Sequence, residues 1–339
     1  MDHESILLAR KEMMILLGMQ ALPMHAIAVA ADLGIADLVE EQPKTPTELA
    51  ARIGANADAL SRMLKALNTL GIFKEDANGR QHNTPLSATL RTDIPGSMVG
   101  WARYKTSELT NRSVEGLRYS VLNGQPAFPR IFGKPFFEYL RENPEMREIF
   151  AGAMTSYSSS SVSEALEAYD FSKIKLIADV GGGRGAFLRG ILSAERGLTG
   201  ILFDLPEVVE HADKSLAPGL GDRYSVVGGD FFKTVPPQAD LYLMRHIIHD
   251  WSDKDAVTIC RNCRKAMPPG GKVLIIEFVL KEANQPDFGR FMDLSMLTMF
   301  EGRERTLPEF ESILQAANLR LTRAIPTSGI HTLIEAEAA

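Results

Sequence analysis

The chain has 339 residues, of which 45% are hydrophobic and 24% are charged, and its net charge at neutral pH is −6. This length exceeds that of a usual single hydrophobic core, so two domains are expected. The acidic balance argues against an extended nucleic-acid surface, because such a surface needs a basic patch. No apolar run of the roughly 20 residues needed for a membrane span is expected, and the acidic start is unlike a signal peptide. The sequence therefore predicts a cytoplasmic protein.

Two cysteines occur, Cys260 and Cys263, three positions apart in a stretch with helical periodicity. A metal site would need a second pair of ligands at a matching spacing, which the sequence lacks. We expect two half-buried helix thiols and no metal, with a redox or metal-binding role as the weaker alternative.

Residues 1–40 carry apolar side chains at helical spacing, and Pro23 is expected to divide them into two helices. The apolar positions lie on more than one side of the first helix, which is more than a single domain surface covers. We interpret these helices as a dimerisation element, so the protein is expected to be a homodimer.

Residues 45–92 have the pattern of two helices followed by a hairpin. One helix is capped at Thr45, a second begins at Asn56, and the hairpin turns at Asn78 and Gly79. This is the pattern of a winged helix, whose second helix often enters the DNA major groove. Basic and acidic residues nearly cancel over the segment, so we favour a scaffold or dimer surface over DNA binding.

The strongest local signal lies in the second half of the chain. An apolar run followed by Asp179-Val-Gly-Gly-Gly-Arg-Gly185 predicts a strand, a tight turn and a helix. Gly181, Gly183 and Gly185 give the spacing G-x-G-x-G, whereas a dinucleotide site has G-x-G-x-x-G. The carboxylate of Asp179 would repel a pyrophosphate but would suit a ligand with an amino group. The alternative is a glycine turn that only packs the helix on the strand.

Three later apolar runs also end in polar or aromatic side chains. The first ends at Asp204, about twenty residues after the glycine turn, where a carboxylate accepts both hydroxyls of a ribose. The second ends at Asp230 and Phe231, which offer an acceptor for an exocyclic amine and a ring to cover a purine. The third ends at Arg245 and leads towards Trp251. Such strand ends converge on one crevice, so these side chains are expected to face the same ligand. That ligand would have an amine, a ribose and an adenine, and S-adenosylmethionine fits this description.

These segments resemble the S-adenosylmethionine-dependent O-methyltransferases of the plant caffeic acid and flavonoid type and their bacterial natural-product relatives. The matching motifs, in family order, are D-V-G-G-G-R-G (179–185), F-D-L-P (203–206), G-G-D-F-F (228–232), H-D-W-S-D (249–253), P-P-G-G-K (268–272) and G-R-E-R-T (302–306). The resemblance implies a class I methyltransferase fold, a Rossmann-like α/β sheet over residues 166–339. A mostly helical dimerisation and substrate-lining domain would precede it over residues 1–165, with its winged-helix-like segment at about 45–92. The implied cofactor is S-adenosylmethionine, with S-adenosylhomocysteine as product and no metal.

The resemblance also assigns site residues. Those implied for the cofactor are Asp179, Gly181, Gly183, Asp204, Leu205, Asp230, Phe231, Arg245 and Trp251. His249 matches the family's general base, with His246 as the second choice. A histidine of ordinary pKa would make turnover rise with pH through about 6.5. Glu277 and Glu304 match the glutamates that flank the base, although Glu304 could instead pair with neighbouring arginines and Glu277 could hold the preceding loop.

The acceptor is expected to be a hydroxyl of a small aromatic compound, phenolic or polyketide-like. Candidate pocket residues are Met154, Met292, Asp293 and Met296, although a methionine stripe is as often part of a core. Two other functions stay open. One is a cofactor-binding relative with altered chemistry, such as hydroxylation or decarboxylation. The other is a winged-helix regulator that senses S-adenosylmethionine.

Overall fold

Helices make up most of the first part of the chain in the computed structural model, which describes residues 3–19, 21–210 and 219–339. Contacts divide the chain into two units, Met1–Glu108 and Leu109–Ala339. The elements of the first unit are α1 (His3–Met19), α2 (Leu22–Asp32), α3 (Ile35–Glu41), α4 (Pro46–Ile53), α5 (Ala57–Thr69), β1 (Phe73–Glu75), β2 (Gln81–Asn83), α6 (Pro85–Ala88) and α7 (Val99–Lys105). One apolar core joins most of these helices to β1.

The predicted arrangement of two helices and a hairpin is present in this unit. Thr45 caps α4 in a capping box with Glu48, and the side chain of Asn56 caps α5. Strands β1 and β2 pair antiparallel, and the side chain of Asp76 accepts two backbone N–H groups within the turn between them. Each boundary is set by a side chain close to it in sequence, which is why the pattern was predictable.

The first two helices expose large apolar side chains. The exposed residues include Met13, Met14, Ile15, Leu16, Leu17, Met19, Leu22 and Val29. The segment Ala9–Asp32 has a mean hydropathy of 1.7 and is long and apolar enough to cross a membrane. The expectation that no such run occurs was therefore wrong. Length and composition alone do not distinguish a membrane span from a helix that packs on another protein surface.

In the second unit, a series of helices precedes an α/β sheet in the sequence. These are α8 (Glu108–Glu115), α9 (Leu117–Asn123), α10 (Phe128–Phe132), α11 (Phe136–Glu142) and α12 (Pro144–Ala168). The elements that follow are β3 (Leu176–Val180), α13 (Ala186–Ala194), β4 (Thr199–Asp204), α14 (Pro206–Val209), β5 (Tyr224–Gly228), β6 (Leu241–Arg245), α15 (Asp253–Ala266), β7 (Lys272–Glu277), α16 (Phe288–Met299), α17 (Leu307–Ala316), β8 (Leu319–Pro326) and β9 (Thr332–Ala338).

The sheet has the strand order β5-β4-β3-β6-β7-β9-β8. Strands β5, β4, β3, β6 and β7 are parallel, and β9 runs antiparallel between β7 and β8. The strand order reverses between β3 and β6, so a crevice opens at the C-terminal ends of these two strands. Asp204, Arg245 and Glu277 are the last residues of β4, β6 and β7 and lie at this edge. This mostly parallel sheet confirms the predicted α/β class.

The long helix α12 belongs to the sheet unit. It packs along α13 so closely that a Cβ on Gly190 would lie 2.7 Å from a methyl carbon of Val162. The domain boundary predicted at residue 165 lies near the end of α12, whereas the two units meet at residues 108 and 109. The serine-rich stretch 156–163 lies inside this continuous helix.

Both cysteines lie in the apolar layer on one side of the sheet. Cys260 and Cys263 are free and fully buried, rather than half-buried as predicted. Burial raises the pKa of Cys260 to about 12 and also raises the pKa of Cys263. Both side chains therefore stay protonated at neutral pH and act as small apolar core groups.

Candidate active site

The glycine-rich turn after β3 has a backbone that glycine adopts more easily than other residues. Gly181, Gly183 and Gly185 have φ angles of 75°, 59° and 76°, all in the left-handed region. A Cβ on Gly181 would overlap the side chain of Ile247, and a Cβ on Gly185 would overlap the hydroxyl of Tyr224. The turn is therefore fixed by close packing on both sides.

Asp179, near the end of β3, is buried and carries an oxygen without a partner. Its side chain is 2% exposed, and Oδ2 makes no hydrogen bond within the described part of the chain. Burial raises the pKa of Asp179 to about 7, against the lowering effect of the charge on Arg245. Such a carboxylate gains most from a positive or hydrogen-bond-donating group brought next to it. It therefore fits the amino group of the predicted cofactor.

Asp204 ends β4 and holds the glycine turn. Its Oδ2 accepts the backbone N–H of Gly183 at 2.8 Å, and its Oδ1 accepts that of Leu205 at 2.7 Å. Burial raises the pKa of Asp204, and each oxygen keeps a second lone pair. The carboxylate is thus held in place and can still accept hydroxyl groups, as binding of a ribose requires.

Aromatic rings form another part of the site. The rings of Phe231, Phe232 and Trp251 make edge-to-face pairs with centroids 4.7 to 5.9 Å apart. Asp230 shapes this loop, because its Oδ1 accepts the backbone N–H of Phe232 at 2.9 Å. Phe137 of α11 stacks on Trp251 with the centroids 5.8 Å apart and the planes at 21°. These flat apolar surfaces suit a purine or another aromatic ring.

Arg245 ends β6 and is held by α12. Its guanidinium donates to Oγ of Ser158 at 2.8 Å, to the carbonyl of Tyr157 at 3.2 Å and to Oγ of Ser161 at 3.3 Å. Burial lowers the pKa of Arg245 to about 10, so it stays charged at neutral pH. The two serines were not predicted as site residues, and their only signal was the serine-rich stretch itself.

These groups surround a cavity of about 360 Å³, a size suited to a small-molecule ligand. All nine residues predicted for the cofactor lie on its wall, together with Met154 of α12. Wall residues that were not predicted include Leu140, Arg147, Phe150, Thr155, Phe187, Val208 and Asp250. Most of them come from α11, α12 and α13, whose positions relative to the strand ends depend on helix packing.

His249 lies in a buried acid–base cluster behind the described residues of the wall. Its Nδ1 lies 2.8 Å from Oε1 of Glu304 and 3.3 Å from Oε2 of Glu277. Its Nε2 lies 3.6 Å from Oδ1 of Asp250, which is on the cavity wall. Oε1 of Glu277 also accepts three backbone N–H groups of the loop that carries His249, at 3.0 to 3.3 Å. Glu277 therefore both fixes this loop and contacts the imidazole.

The surrounding carboxylates hold a proton on His249. Burial lowers its pKa, but the charges of Glu277, Glu304 and Asp250 raise it to about 10. Burial also raises the pKa of Glu277 and that of Asp250, each to about 7. The ordinary histidine pKa assumed from the sequence does not apply, because sequence spacing did not reveal how many acidic groups surround this ring.

Two further residues hold the loop of His249. A Cβ on Gly302 would overlap the carbonyl oxygen of His249, so the backbone can approach this closely only at a glycine. The fully buried guanidinium of Arg305 donates to two carbonyl groups of the same loop, at 3.0 and 2.8 Å. Neither residue was predicted, and the signal for both was their place on either side of Glu304 in the same motif.

The acceptor residues predicted on α16 are not among the described residues of the cavity wall. Met292 and Met296 are buried, and neither belongs to the described residues that line the cavity. Oδ1 of Asp293 accepts the backbone N–H of Glu304 at 2.9 Å, so this carboxylate positions Glu304. Contact of these three residues with an acceptor stays a prediction.

Three side chains of the cluster carry atoms that could bind a metal ion. His246, His249 and Glu277 each present one possible ligand atom within 4.8 Å of the others. A histidine ligand must bind through a deprotonated nitrogen, whereas Nδ1 of His249 faces a carboxylate oxygen of Glu304 at 2.8 Å, which favours a proton on that nitrogen. The geometry therefore favours acid–base chemistry at this cluster over metal binding.

Two domain families match the chain. Residues 115–320 match the O-methyltransferase domain, and residues 16–93 match the O-methyltransferase dimerisation domain. The chain is 41% identical over 313 residues to phenazine O-methyltransferase PhzM of Lysobacter antibioticus, covering 92% of each protein. It is 37% identical to the mitomycin biosynthesis 6-O-methyltransferase of Streptomyces lavendulae, covering 89% of this chain and 87% of that protein.

A solved methyltransferase structure is also similar to the chain. CalO1, a methyltransferase in calicheamicin biosynthesis in its SAH-bound form, is 35% identical and matches with a TM-score of 0.88 over 100% of both chains. Oδ2 of Asp179, which has no hydrogen-bond partner among the described residues, and the carboxylate of Asp204, which has lone pairs left to accept hydroxyls, fit the same cofactor. The chain is therefore a member of the S-adenosylmethionine-dependent O-methyltransferases of the plant type, together with their bacterial natural-product relatives.

Proposed function

We propose that the enzyme methylates a hydroxyl of a small aromatic acceptor, with His249 as the general base. The observation that carries the proposal is the orientation of this imidazole. Its Nδ1 is held by Glu304 at 2.8 Å, which leaves Nε2 3.6 Å from Oδ1 of Asp250, a residue of the cavity wall. His246, the second choice for the base, lies on the wall itself. A base whose second nitrogen is held by a carboxylate keeps one tautomer and stabilises the imidazolium that forms.

The chain's own residues have three tasks in this reaction. S-adenosylmethionine, when bound, supplies a methyl group already activated as a sulfonium. Asp179, Asp204 and the aromatic wall would hold it, and Nε2 of His249 would remove the acceptor's hydroxyl proton. Glu304 and Glu277 would stabilise the resulting imidazolium, because their charges lie within 3.3 Å of Nδ1.

The acceptor class rests on the wall and on the relatives. Phe137, Phe150, Met154 and Trp251 provide flat or adaptable apolar surface for a ring. The neocarzinostatin methyltransferase NcsB1, 34% identical with a TM-score of 0.72 over 94% of this chain and 96% of that one, was solved with 1,4-dihydroxy-2-naphthoic acid. A fused, hydroxylated ring system is accordingly the proposed acceptor for this chain.

A turnover panel tests this proposal. Phenols, catechols, quinones and hydroxylated polyketides would be incubated with isotopically labelled cofactor and analysed by mass spectrometry. We expect label on the oxygen of at least one hydroxylated aromatic compound. Transfer to nitrogen alone would contradict the proposal.

Altered chemistry is the second candidate. Aclacinomycin 10-hydroxylase RdmB of Streptomyces purpurascens is 33% identical over 94% of this chain and 86% of that protein. The close pairing of His249 with two carboxylates favours proton removal and thus methyl transfer. In the same panel, products that gain an oxygen atom rather than a methyl group would support hydroxylation instead.

We further propose a homodimer formed through the N-terminal helices. Leu16 and Leu17 of α1 are 69% and 65% exposed, and apolar side chains in such a row are normally covered by a partner. Light scattering at micromolar concentration is expected to give twice the chain mass, and changing both leucines to lysine should lower it towards one chain mass. Val121 and Leu122 of the second unit, each 65% exposed, provide the matched double-lysine control, which should remain dimeric. A folded monomeric wild type would contradict the proposal.

We also propose a cytoplasmic enzyme that binds neither nucleic acid nor membrane. The acidic net charge of −6 supports this, since both nucleic acid and anionic lipid attract basic surfaces. A gel-shift assay at low salt and flotation with anionic lipid vesicles are expected to show no binding.

A further inference from the structure

The base proposed above takes up a proton at a place with poor access to water. His249 is 7% exposed, and its carboxylate neighbours raise its pKa to about 10. Each methyl transfer to a hydroxyl adds one proton to this ring, and the ring must lose it before it can act again. A route for the proton is therefore needed, and a chain of titratable side chains leads away from His249 past His246, which itself lies on the cavity wall.

The first part of this chain is Glu277, which lies between two imidazoles. Its Oε2 is 3.3 Å from Nδ1 of His249 and 3.6 Å from Nδ1 of His246. Neither Oε2 nor Nδ1 of His246 has a hydrogen-bond partner within the described part of the chain. Two lone pairs that face each other in a buried site repel, unless a proton lies between them. This gap is therefore a natural place for a proton in transit.

The second part leads from His246 to the surface. Nε2 of His331 lies 3.0 Å from Nε2 of His246 and 3.0 Å from the hydroxyl oxygen of Tyr157. Nδ1 of His331 lies 3.3 Å from Oε2 of Glu164. His331 is 4% exposed, whereas the side chain of Glu164 is 21% exposed and reaches water. His331 lies at this edge of the sheet because the first residue of the antiparallel strand β9, Thr332, pairs with Glu277.

The two connecting histidines are suited to pass a proton without retaining it. Burial lowers the pKa of His246 well below its usual value and that of His331 to about 4, and the positive charges of Arg245 and His249 act in the same direction. On His331 the nearby carboxylate of Glu164 opposes this effect. A neutral imidazole can accept a proton on one nitrogen and release the proton of the other nitrogen.

We propose that Glu277, His246, His331 and Glu164 form a proton path from His249 to solvent. The acceptor's O–H bond breaks as its oxygen gains the methyl group, and the proton moves to Nε2 of His249. The proton on Nδ1 of His249 then passes to Oε2 of Glu277 and on to Nδ1 of His246. As His246 takes it up, the proton on its Nε2 moves to Nε2 of His331, whose Nδ1 proton leaves through Glu164 to water. One proton enters and one leaves, and each imidazole then carries its proton on the opposite nitrogen. A half-turn of each ring before the next turnover restores the starting tautomers.

The test measures exchange of the His249 ring proton with water, a quantity that does not depend on turnover. Histidine labelled with ¹⁵N would be followed by NMR with saturation transfer from water, and the His249 signals would be assigned from their loss in His249→Ala. We expect His331→Gln to slow this exchange by about tenfold or more, because glutamine retains hydrogen bonding but cannot relay a proton. Thr327→Val is the matched control: Oγ1 of Thr327 donates to Glu164 at 3.2 Å but lies off the path, so exchange should be unchanged.

The outcomes separate this inference from the proposed role of His249. Unchanged exchange in folded His331→Gln would overturn the path while leaving the base assignment intact. If that variant does not fold, Glu164→Gln at the partly exposed end decides in the same way. Slowed exchange combined with full turnover of His249→Ala would retain the path and overturn the base.

Discussion

Replacing His249 by alanine is expected to lower kcat by roughly 10²–10⁴-fold with a phenol of ordinary acidity, the range that loss of a general base produces. Affinity for S-adenosylhomocysteine should change little, because His249 lies behind the described residues of the cavity wall. Rapid-quench kinetics and titration calorimetry measure the two effects. A variant with wild-type turnover would reassign His249 to structure, and His246 would then be the next residue to test.

The expected pH dependence of turnover follows from the raised pKa of His249. Only neutral imidazole can accept a proton, so a base with a pKa of about 10 gains activity as pH rises towards 10. Wild-type turnover should therefore increase about tenfold per pH unit between pH 7 and 9, rather than levelling off above about 6.5 as for an ordinary histidine. This revises the pH profile expected from the sequence.

The ratio of wild-type to His249→Ala rates distinguishes a raised pKa of His249 from an ordinary one. In the variant the rate follows the fraction of ionised phenol, which also rises about tenfold per pH unit below a pKa of about 10. The ratio should thus stay constant between pH 7 and 9 if the pKa of His249 is raised, and should fall with pH if it is ordinary. Glu304→Gln provides the control: it removes a negative charge 2.8 Å from Nδ1, which lowers the pKa of His249 and shifts the rising limb to lower pH.

Replacing Asp204 by alanine is expected to weaken S-adenosylhomocysteine binding by about 10²–10⁴-fold. Hydrogen bonds to a charged group contribute about 1.5–3 kcal/mol each, and two ribose hydroxyls would be lost together. The same change removes the two backbone contacts that hold Gly183 and Leu205. Titration calorimetry measures the affinity, and an unchanged value would exclude Asp204 from the cofactor site.

A matched carboxylate separates ribose binding from loop support. Asp240 accepts the backbone N–H groups of Lys175 and Leu176 at 2.9 and 3.0 Å, and it precedes β6 at the opposite edge of the same sheet. Asp240→Ala therefore also removes two backbone contacts but should leave cofactor affinity unchanged. Equal losses of affinity in both variants would mean that Asp204 acts through stability alone.

Patterns of residues close together in sequence determined where many helices, turns and strand ends of this protein form. Capping side chains such as Thr45 and Asn56 set helix starts, and the spacing of the glycines after β3 predicted a tight turn. The residues at successive strand ends could be grouped because parallel strands share a C-terminal edge. All nine residues assigned to the cofactor consequently lie on one cavity wall, although their contacts with the cofactor remain predictions.

Tertiary structure alone decided the features that depend on elements distant in sequence. Ser158 and Ser161 hold Arg245 only because α12 packs beside the end of β6, and this packing also places α12 in the sheet unit. His331 meets His246 only because β9 runs antiparallel beside β7.

The pKa of His249 has the same origin. Glu277 and Glu304 surround one ring from two separate segments, and their charges outweigh the burial that would lower its pKa. Local patterns determine which elements form and what chemistry their ends can carry. The strength of that chemistry depends on distances between segments, because both burial and charge interactions are set by the folded arrangement and not by spacing along the chain.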